Sequence, residues 1–206
     1  MGGIGERRPI AARETAPARA AAAWLAGRGV PADAISAAGM VFGLLAGLSL
    51  ALAPGEGAWA WLAGALCVQL RLLANMLDGM VAVARNAASP QGELWNEVPD
   101  RVSDSAALIG LGWAAGDLAL GLGAALAAMA TAYVRALGKG AGAGSDFRGP
   151  MAKQQRMFIV TVTALACGLL PAGWTVPLPA IVLWLILAGS LLTALRRLAG
   201  IAGRLG

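Results

Sequence analysis

The chain has 206 residues, 58% of them hydrophobic and 13% charged, with a mean hydropathy of +0.69. So apolar a composition excludes an ordinary soluble domain and points to a membrane-embedded one. A net charge of +5 and a pI near 10.2 do not indicate nucleic acid, because the basic residues flank apolar runs instead of interleaving with aromatics. The absence of histidine excludes Ser-His-Asp and Cys-His catalysis and the usual zinc sites. Acid-base work falls to carboxylates, and any metal must be a hard, oxygen-binding cation.

Arg7, Arg8, Arg13, Arg19 and Arg28 lie near the start, with no short apolar core and small-residue cleavage site, so no cleaved signal peptide is expected. Residues 1–30 read as a cytoplasmic segment. Within it, Pro17 to Arg28, alanine-rich with Trp24 and Leu25 between basic ends, predicts an amphipathic helix lying in the membrane interface.

Residues 31–206 then carry six apolar segments, at 34–53, 58–83, 98–115, 118–137, 156–171 and 176–195. At about 1.5 Å per residue each crosses or nearly crosses a hydrocarbon core of about 30 Å. The expected fold is all-α and polytopic, with six transmembrane helices after the interfacial one. Cys67 and Cys167 sit inside apolar runs and read as small hydrophobes, not as a disulfide or metal cluster.

The turns at Pro54–Gly57, Gly116–Asp117 and Pro171–Pro177 carry no basic residue, whereas Arg85, Arg101, Arg135, Lys139, Arg148, Lys153, Arg156, Arg196, Arg197 and Arg204 belong to the opposite side. The bias of Lys and Arg toward cytoplasmic loops places both termini in the cytoplasm. Arg71 lies well inside the second segment, where a charge faces a cavity or a partner. The glycine-rich stretch 138–144 reads as a linker.

Five of the eleven acidic residues, Asp78, Glu93, Glu97, Asp100 and Asp104, fall between the end of segment two and the start of segment three. Helical spacing puts Arg71, Asn75 and Asp78 on one face of segment two. The same spacing groups Asn96, Asp100 and Ser103 on segment three, with Glu93, Glu97 and Asp104 on overlapping faces. Carboxylates crowded at the edge of a low-dielectric medium need cations. Magnesium or manganese suits carboxylate, amide and phosphate oxygens, and two such ions clamp a pyrophosphate. Pro99 reads either as a first-turn proline at the start of segment three or as a functional kink.

This spacing resembles the signature of the CDP-alcohol phosphatidyltransferase family: Asp, two residues, Asp-Gly, two residues, Ala-Arg, about eight residues, Gly, three residues, Asp, three residues, Asp. Asn75 stands in the first Asp place, Asp78-Gly79 and Ala82 match, Gly92 matches the later glycine, Asn96 stands in the third Asp place and Asp100 fills the last. Val83 replaces the arginine, with Arg85 two residues on. Residues Gly29 to Ser36 loosely resemble the family's TPN-x-x-T/S lead-in to its first span.

The resemblance implies a phospholipid-synthesis enzyme of the bacterial inner (plasma) membrane. It would transfer a substituted phosphate from a CDP-alcohol, CDP-diacylglycerol foremost, to an acceptor alcohol and release CMP. It implies Mg2+ or Mn2+ on Asn75, Asp78, Asn96 and Asp100, with Asp100 as general base on the acceptor. It places CDP against Gly79, Ala82, Arg85 and Gly92 at the cytoplasmic face, and implies a homodimer. The asparagines remove two formal charges; Glu97, Asp104 or Glu93 restores them, or metal binds more weakly. Arg148, Lys153 and Arg156 serve the positive-inside bias or hold a phosphate on the acceptor or an anionic lipid. The competing reading is a small membrane transporter or proton-coupled carrier, whose site would lie nearer the midplane.

Overall fold

The structure is a computed structural model that describes residues 11–85 and 90–206, apart from the side chains at 11, 12, 90–93 and 96. Among the described residues there is no strand. The helices are α1 (Ala16–Gly27), α2 (Ala32–Glu56), α3 (Ala58–Ala84), α4 (Pro90–Ala114), α5 (Leu118–Gly140), α6 (Lys153–Leu169), α7 (Ala172–Thr175) and α8 (Leu178–Leu205).

Every predicted apolar segment falls within a helix or a closely spaced helix pair. Among the described residues four stretches are long and apolar enough to cross a membrane: α2, α3, α5 and the run from α7 through α8. In α6 the limit is length, since it has only 17 residues. α4 is long enough but carries Glu93, Glu97, Asp100, Arg101 and Asp104.

The turns follow local chemistry. Gly57, at φ 82°, separates α2 from α3, and Gly116, at φ 71°, closes α4; a side chain at either would be strained. Asp117 Oδ1 accepts a hydrogen bond from the Leu120 N–H at 2.8 Å and caps α5.

One core draws on all six long helices, through Leu50, Val68, Leu108, Leu111, Leu120, Val160, Leu183 and Ile186 among others. A smaller cluster of Ala22, Ile35, Ala74 and Val81 seats α1 against α2 and α3. Outside, the surface is apolar: Leu44, Leu48, Leu126, Phe158 and Trp184 are exposed, while Arg71, Asp78, Asp100, Asp104, Arg156 and Arg197 are buried. Polar inside and apolar outside is the distribution of an integral membrane protein. Exposed Trp59, Trp113 and Trp174 stand beside the three turns without basic residues, as an aromatic belt does at one membrane surface.

Lipid tails are as apolar as leucine, so close fit and internal polar bonds hold such a bundle together. α2 supplies the fit with Gly39, Gly43 and Gly47, four residues apart. A Cβ at Gly39 would lie 2.9 Å from Ala74 Cβ on α3. At Gly43 it would lie 2.3 Å from Ser103 Cβ, and at Gly47 2.4 Å from Ala106 O, both on α4. α2 thus packs closely on both α3 and α4, which barely touch one another.

Three boundaries differ from the sequence expectation. α4 begins at Pro90, not near 98, and runs through Pro99, which is fully buried inside the helix; Pro90 is the first-turn proline, and Pro99 merely forgoes one backbone bond. α8 continues past 195 to Leu205 because arginines do not interrupt a helix. Gly138 is not linker: it is buried in α5, where a Cβ would come within 2.6 Å of Ile201 Cδ1 on α8.

The connection from α5 to α6 is tied to α8. Arg197 donates to Arg148 O at 2.9 Å and to Thr131 O at 2.8 Å. Asp146 accepts from Arg148 Nη2 at 2.7 Å and from Arg204 Nη2 at 3.1 Å. The Arg148 guanidinium beside Asp146, with the Arg148 N–H and Arg204, holds this carboxyl well below the usual range against the upward push of burial.

A carboxyl depressed in the fold contributes stability at pH values above its unfolded value of about 3.9, and that stability is lost as pH falls through the lower folded value. Asp146→Asn should therefore melt at lower temperature than the parent at pH 7. The gap should close as the pH drops below about 4; a gap independent of pH would show that charge is not what Asp146 contributes.

Candidate functional site

The buried charges sit where α3 and α4 meet α2. Asp78, only 5% exposed, lies in the last two turns of α3. Ser36 Oγ, in the first turn or so of α2, donates to Asp78 Oδ2 at 2.6 Å, and the Gly79 N–H is turned to Oδ1. One turn before Asp78, the Asn75 Oδ1 is buried without a hydrogen-bond partner. A buried acceptor without a donor is costly, and a cation is one of the few things that satisfies it.

Asp100, 7% exposed, faces this region from α4. Its Oδ1 is contacted by Arg71 Nη2 from α3 and by Lys153 Nζ from the start of α6. Arg101 Nη2 lies 3.9 Å from Oδ2. Arg71 also donates from Nε to Ser103 Oγ at 2.9 Å, and both Arg71 and Asp100 act electrostatically on Asp78. Asp78 and Asp100 thus lie near enough to feel one another's charge, and the Arg71 guanidinium is bonded to Asp100 alone of the two.

A second layer lies deeper. Arg156, 1% exposed, donates to Met151 O at 2.8 Å and approaches Asp104 Oδ2 at 3.4 Å. Asp104 Oδ1 is buried and unpartnered. A cavity of about 10 Å³ lies between Gly43, Arg71, Ser103, Asp104 and Met157, roughly the space of a single water.

The remaining expected residues are distributed as follows. Glu97 pairs with Arg135 and, at 3.0 Å, with Arg101, so neither it nor Asp104 stands without a basic neighbour. Arg85, exposed, donates to the carbonyls of Gly29 and Val30 at 3.0 and 2.9 Å, tying the end of α3 to the turn before α2. Gly79 and Ala82 are half-buried along the end of α3. Arg148 is exposed but paired with Asp146, Arg156 is turned inward, and Lys153 is the one of the three basic residues that reaches Asp100. Gly92, Glu93 and Asn96 lie on α4, but the surroundings of Gly92 and the side chains of Glu93 and Asn96 lie outside what the structure describes.

Among the described residues no three His, Cys, Asp or Glu side chains gather as a metal cluster. The donors that fit a divalent cation are the Asp78 carboxylate and the Asn75 amide oxygen, hard oxygens of the kind Mg2+ and Mn2+ prefer.

Ser36 was quoted in the sequence only as part of a lead-in; its bond to Asp78 makes it part of the site. Ser36→Ala should cost about 1.5–3 kcal/mol, the usual worth of a hydrogen bond to a charged group, seen as a lower unfolding midpoint in detergent micelles. An unchanged midpoint would mean that the bond contributes nothing.

No family model matches the chain. Curated relatives are phosphatidylinositol phosphate synthases. The one from Streptomyces avermitilis is 29% identical over 187 residues, covering 85% of this chain and 74% of the relative. The one from Mycobacteroides abscessus is 30% identical over 145 residues, covering 66% and 63%. The one from Mycolicibacterium smegmatis is 28% identical over 181 residues, covering 82% and 76%.

Solved structures of the Mycobacterium tuberculosis phosphatidylinositol phosphate synthase share the fold. With CDP-DAG bound, that enzyme superimposes at a TM-score of 0.75 with 24% identity, covering 89% of this chain and 92% of the other. In complex with manganese and citrate the values are 0.77, 23%, 90% and 88%. Along most of its length, and on a shared fold, the chain is similar to these synthases, which are enzymes of the CDP-alcohol phosphatidyltransferase family.

Proposed function

We propose that the protein transfers a substituted phosphate group from CDP-diacylglycerol, or another CDP-alcohol, to an acceptor alcohol with release of CMP. The observation that supports this reading is two buried carboxylates, Asp78 on α3 and Asp100 on α4, close enough to feel one another's charge, with the buried Asn75 oxygen one turn from Asp78 left unpartnered. Asn75, Asp78 and Asn96 would hold a divalent cation, Mg2+ or Mn2+. Once bound, such an ion supplies positive charge against the diphosphate oxygens.

Asp100 accepts the proton of the acceptor hydroxyl as its oxygen attacks the phosphorus bearing the lipid alcohol. A P–O bond forms to the acceptor, the P–O bond to the CMP phosphate breaks, and CMP carries away the electron pair. Gly79, Ala82 and Gly92 keep the backbone open to the nucleotide, with Arg85 beside it. Lys153 and Arg148 are basic groups available to a phosphate on the acceptor; the names of the relatives make an inositol phosphate the first acceptor to try.

In the membrane, all six long helices cross, α4 and α6 with their charged ends at the cytoplasmic surface and both termini on that side. Residues 1–30 precede the spanning domain as a cytoplasmic segment, with α1 in the interface. Two copies would pair as a homodimer, as the resemblance implies.

The test is to incubate purified protein with CDP-diacylglycerol, Mg2+ and a panel of polar alcohols, and to measure CMP. Metal-dependent release with one of the acceptors is expected. Absence of release with every acceptor, together with no CDP-diacylglycerol binding, would overturn the reading in favour of a carrier.

A further inference from the structure

Arg71 is 3% exposed in the middle of a bundle, where a charge is retained only with compensation. Its compensation is Asp100: Nη2 lies on Asp100 Oδ1, Nε donates to Ser103 Oγ at 2.9 Å, and Nη1 has no partner. Gly39 on α2 makes room for the guanidinium, since a Cβ there would lie 2.9 Å from Nη1. Lys153 Nζ reaches the same carboxylate oxygen.

The charge around the proposed metal donors is correspondingly small. Asn75 and Asn96 are neutral, and Asp78 and Asp100 bring two negative charges. Arg71 and Lys153 bring two positive ones to Asp100 alone. Four carboxylates would balance two divalent ions. Two carboxylates, one of them already held by a guanidinium and an ammonium, would not, because a divalent ion arriving at Asp100 would meet fixed like charges in a low-dielectric surround. Arginine does not escape this by losing its proton.

We propose that Arg71 is a built-in cation standing where a second divalent ion would otherwise bind, so that the protein takes one divalent ion, at Asn75 and Asp78, while Arg71 with Lys153 holds Asp100. This rests on the metal-dependent reading above. Arg71 acts through Asp100 as a positioning residue: it fixes the carboxylate on the α3 side without a metal bridge.

The experiment counts Mn2+ bound to purified protein in detergent micelles, by loss of the free-ion electron paramagnetic resonance signal, in the absence of substrate. The parent protein should bind one Mn2+ per chain. Arg71→Gln should bind a second at Mn2+ concentrations that give the parent only one, and Arg71→Lys should return to one. A residue with only a packing role would not add a binding site when removed.

Two Mn2+ of comparable affinity in the parent would overturn the proposal even if Arg71→Gln failed to fold, as would a folded Arg71→Gln that binds only one. No Mn2+ in the parent at any concentration would instead remove the metal-dependent reading and this inference with it.

Discussion

Asp78→Ala should cut CMP release at least about a hundredfold while the protein still inserts and folds. Asp78 brings charge to the α3 side of the site, and the orphaned Asn75 oxygen beside it is neutral. Removing it forfeits several kcal/mol of charge stabilisation, and each 1.36 kcal/mol is a factor of ten in rate. The fold should tolerate the loss. Ser36 Oγ, freed from Asp78, keeps its bond to Ala32 O at 3.3 Å, and the apolar run of α3 is unaltered. The measurement is the initial rate of CMP release beside the unfolding midpoint. A variant with full rate would show that α3 holds no part of the site.

The second large effect is expected from a residue with no side chain. Gly47→Val should leave little folded protein, because even the first added carbon would meet the Ala106 carbonyl at 2.4 Å. On the other side of the contact, a Cβ at Gly110 would lie 2.1 Å from Gly47 O. Backbone meets backbone there, so no rotamer relieves the clash. Overpacking of this kind costs about 1–3 kcal/mol or more, and membrane packing has no hydrophobic reserve to offset it. Gly123→Ala is the control. Nothing lies within 4 Å of its added carbon, so it should be neutral or raise the midpoint, alanine being the better helix former by about 1 kcal/mol. Equal midpoints for the Gly47 and Gly123 variants would refute the close-packing account.

The helices were legible because an apolar run of about 20 residues in a chain this poor in charge has few alternatives. Their ends were not. Pro99 looks like a helix start, and only the structure shows that nine further residues before it are helical, with Pro90 in the first turn. The acids of the proposed site, Asp78 and Asp100, were picked out by spacing, and the structure shows both buried, on α3 and α4. Their partners were not, because Ser36 to Asp78 and Arg71 to Asp100 are pairings across 42 and 29 residues of sequence, and periodicity carries no information about which helices adjoin. Arg156 shows the same limit. Its place in a basic loop suggests a phosphate ligand, whereas its side chain turns inward to Asp104 and Met151. Gly39, Gly43 and Gly47 had their spacing in view, but nothing in the sequence says that their helix lies against both acid-bearing neighbours.

Between Asp33 and Glu56, α2 holds no ionisable side chain, yet it meets α3 at Gly39 and α4 at Gly43 and Gly47. The spacing of α3 from α4, the helices that carry Asp78 and Asp100, is therefore gauged by a shim, whose thickness is set by three missing methyl groups. In the proposed site that spacing can be retuned by residues that never meet a substrate, and a search for altered acceptor choice has reason to begin there.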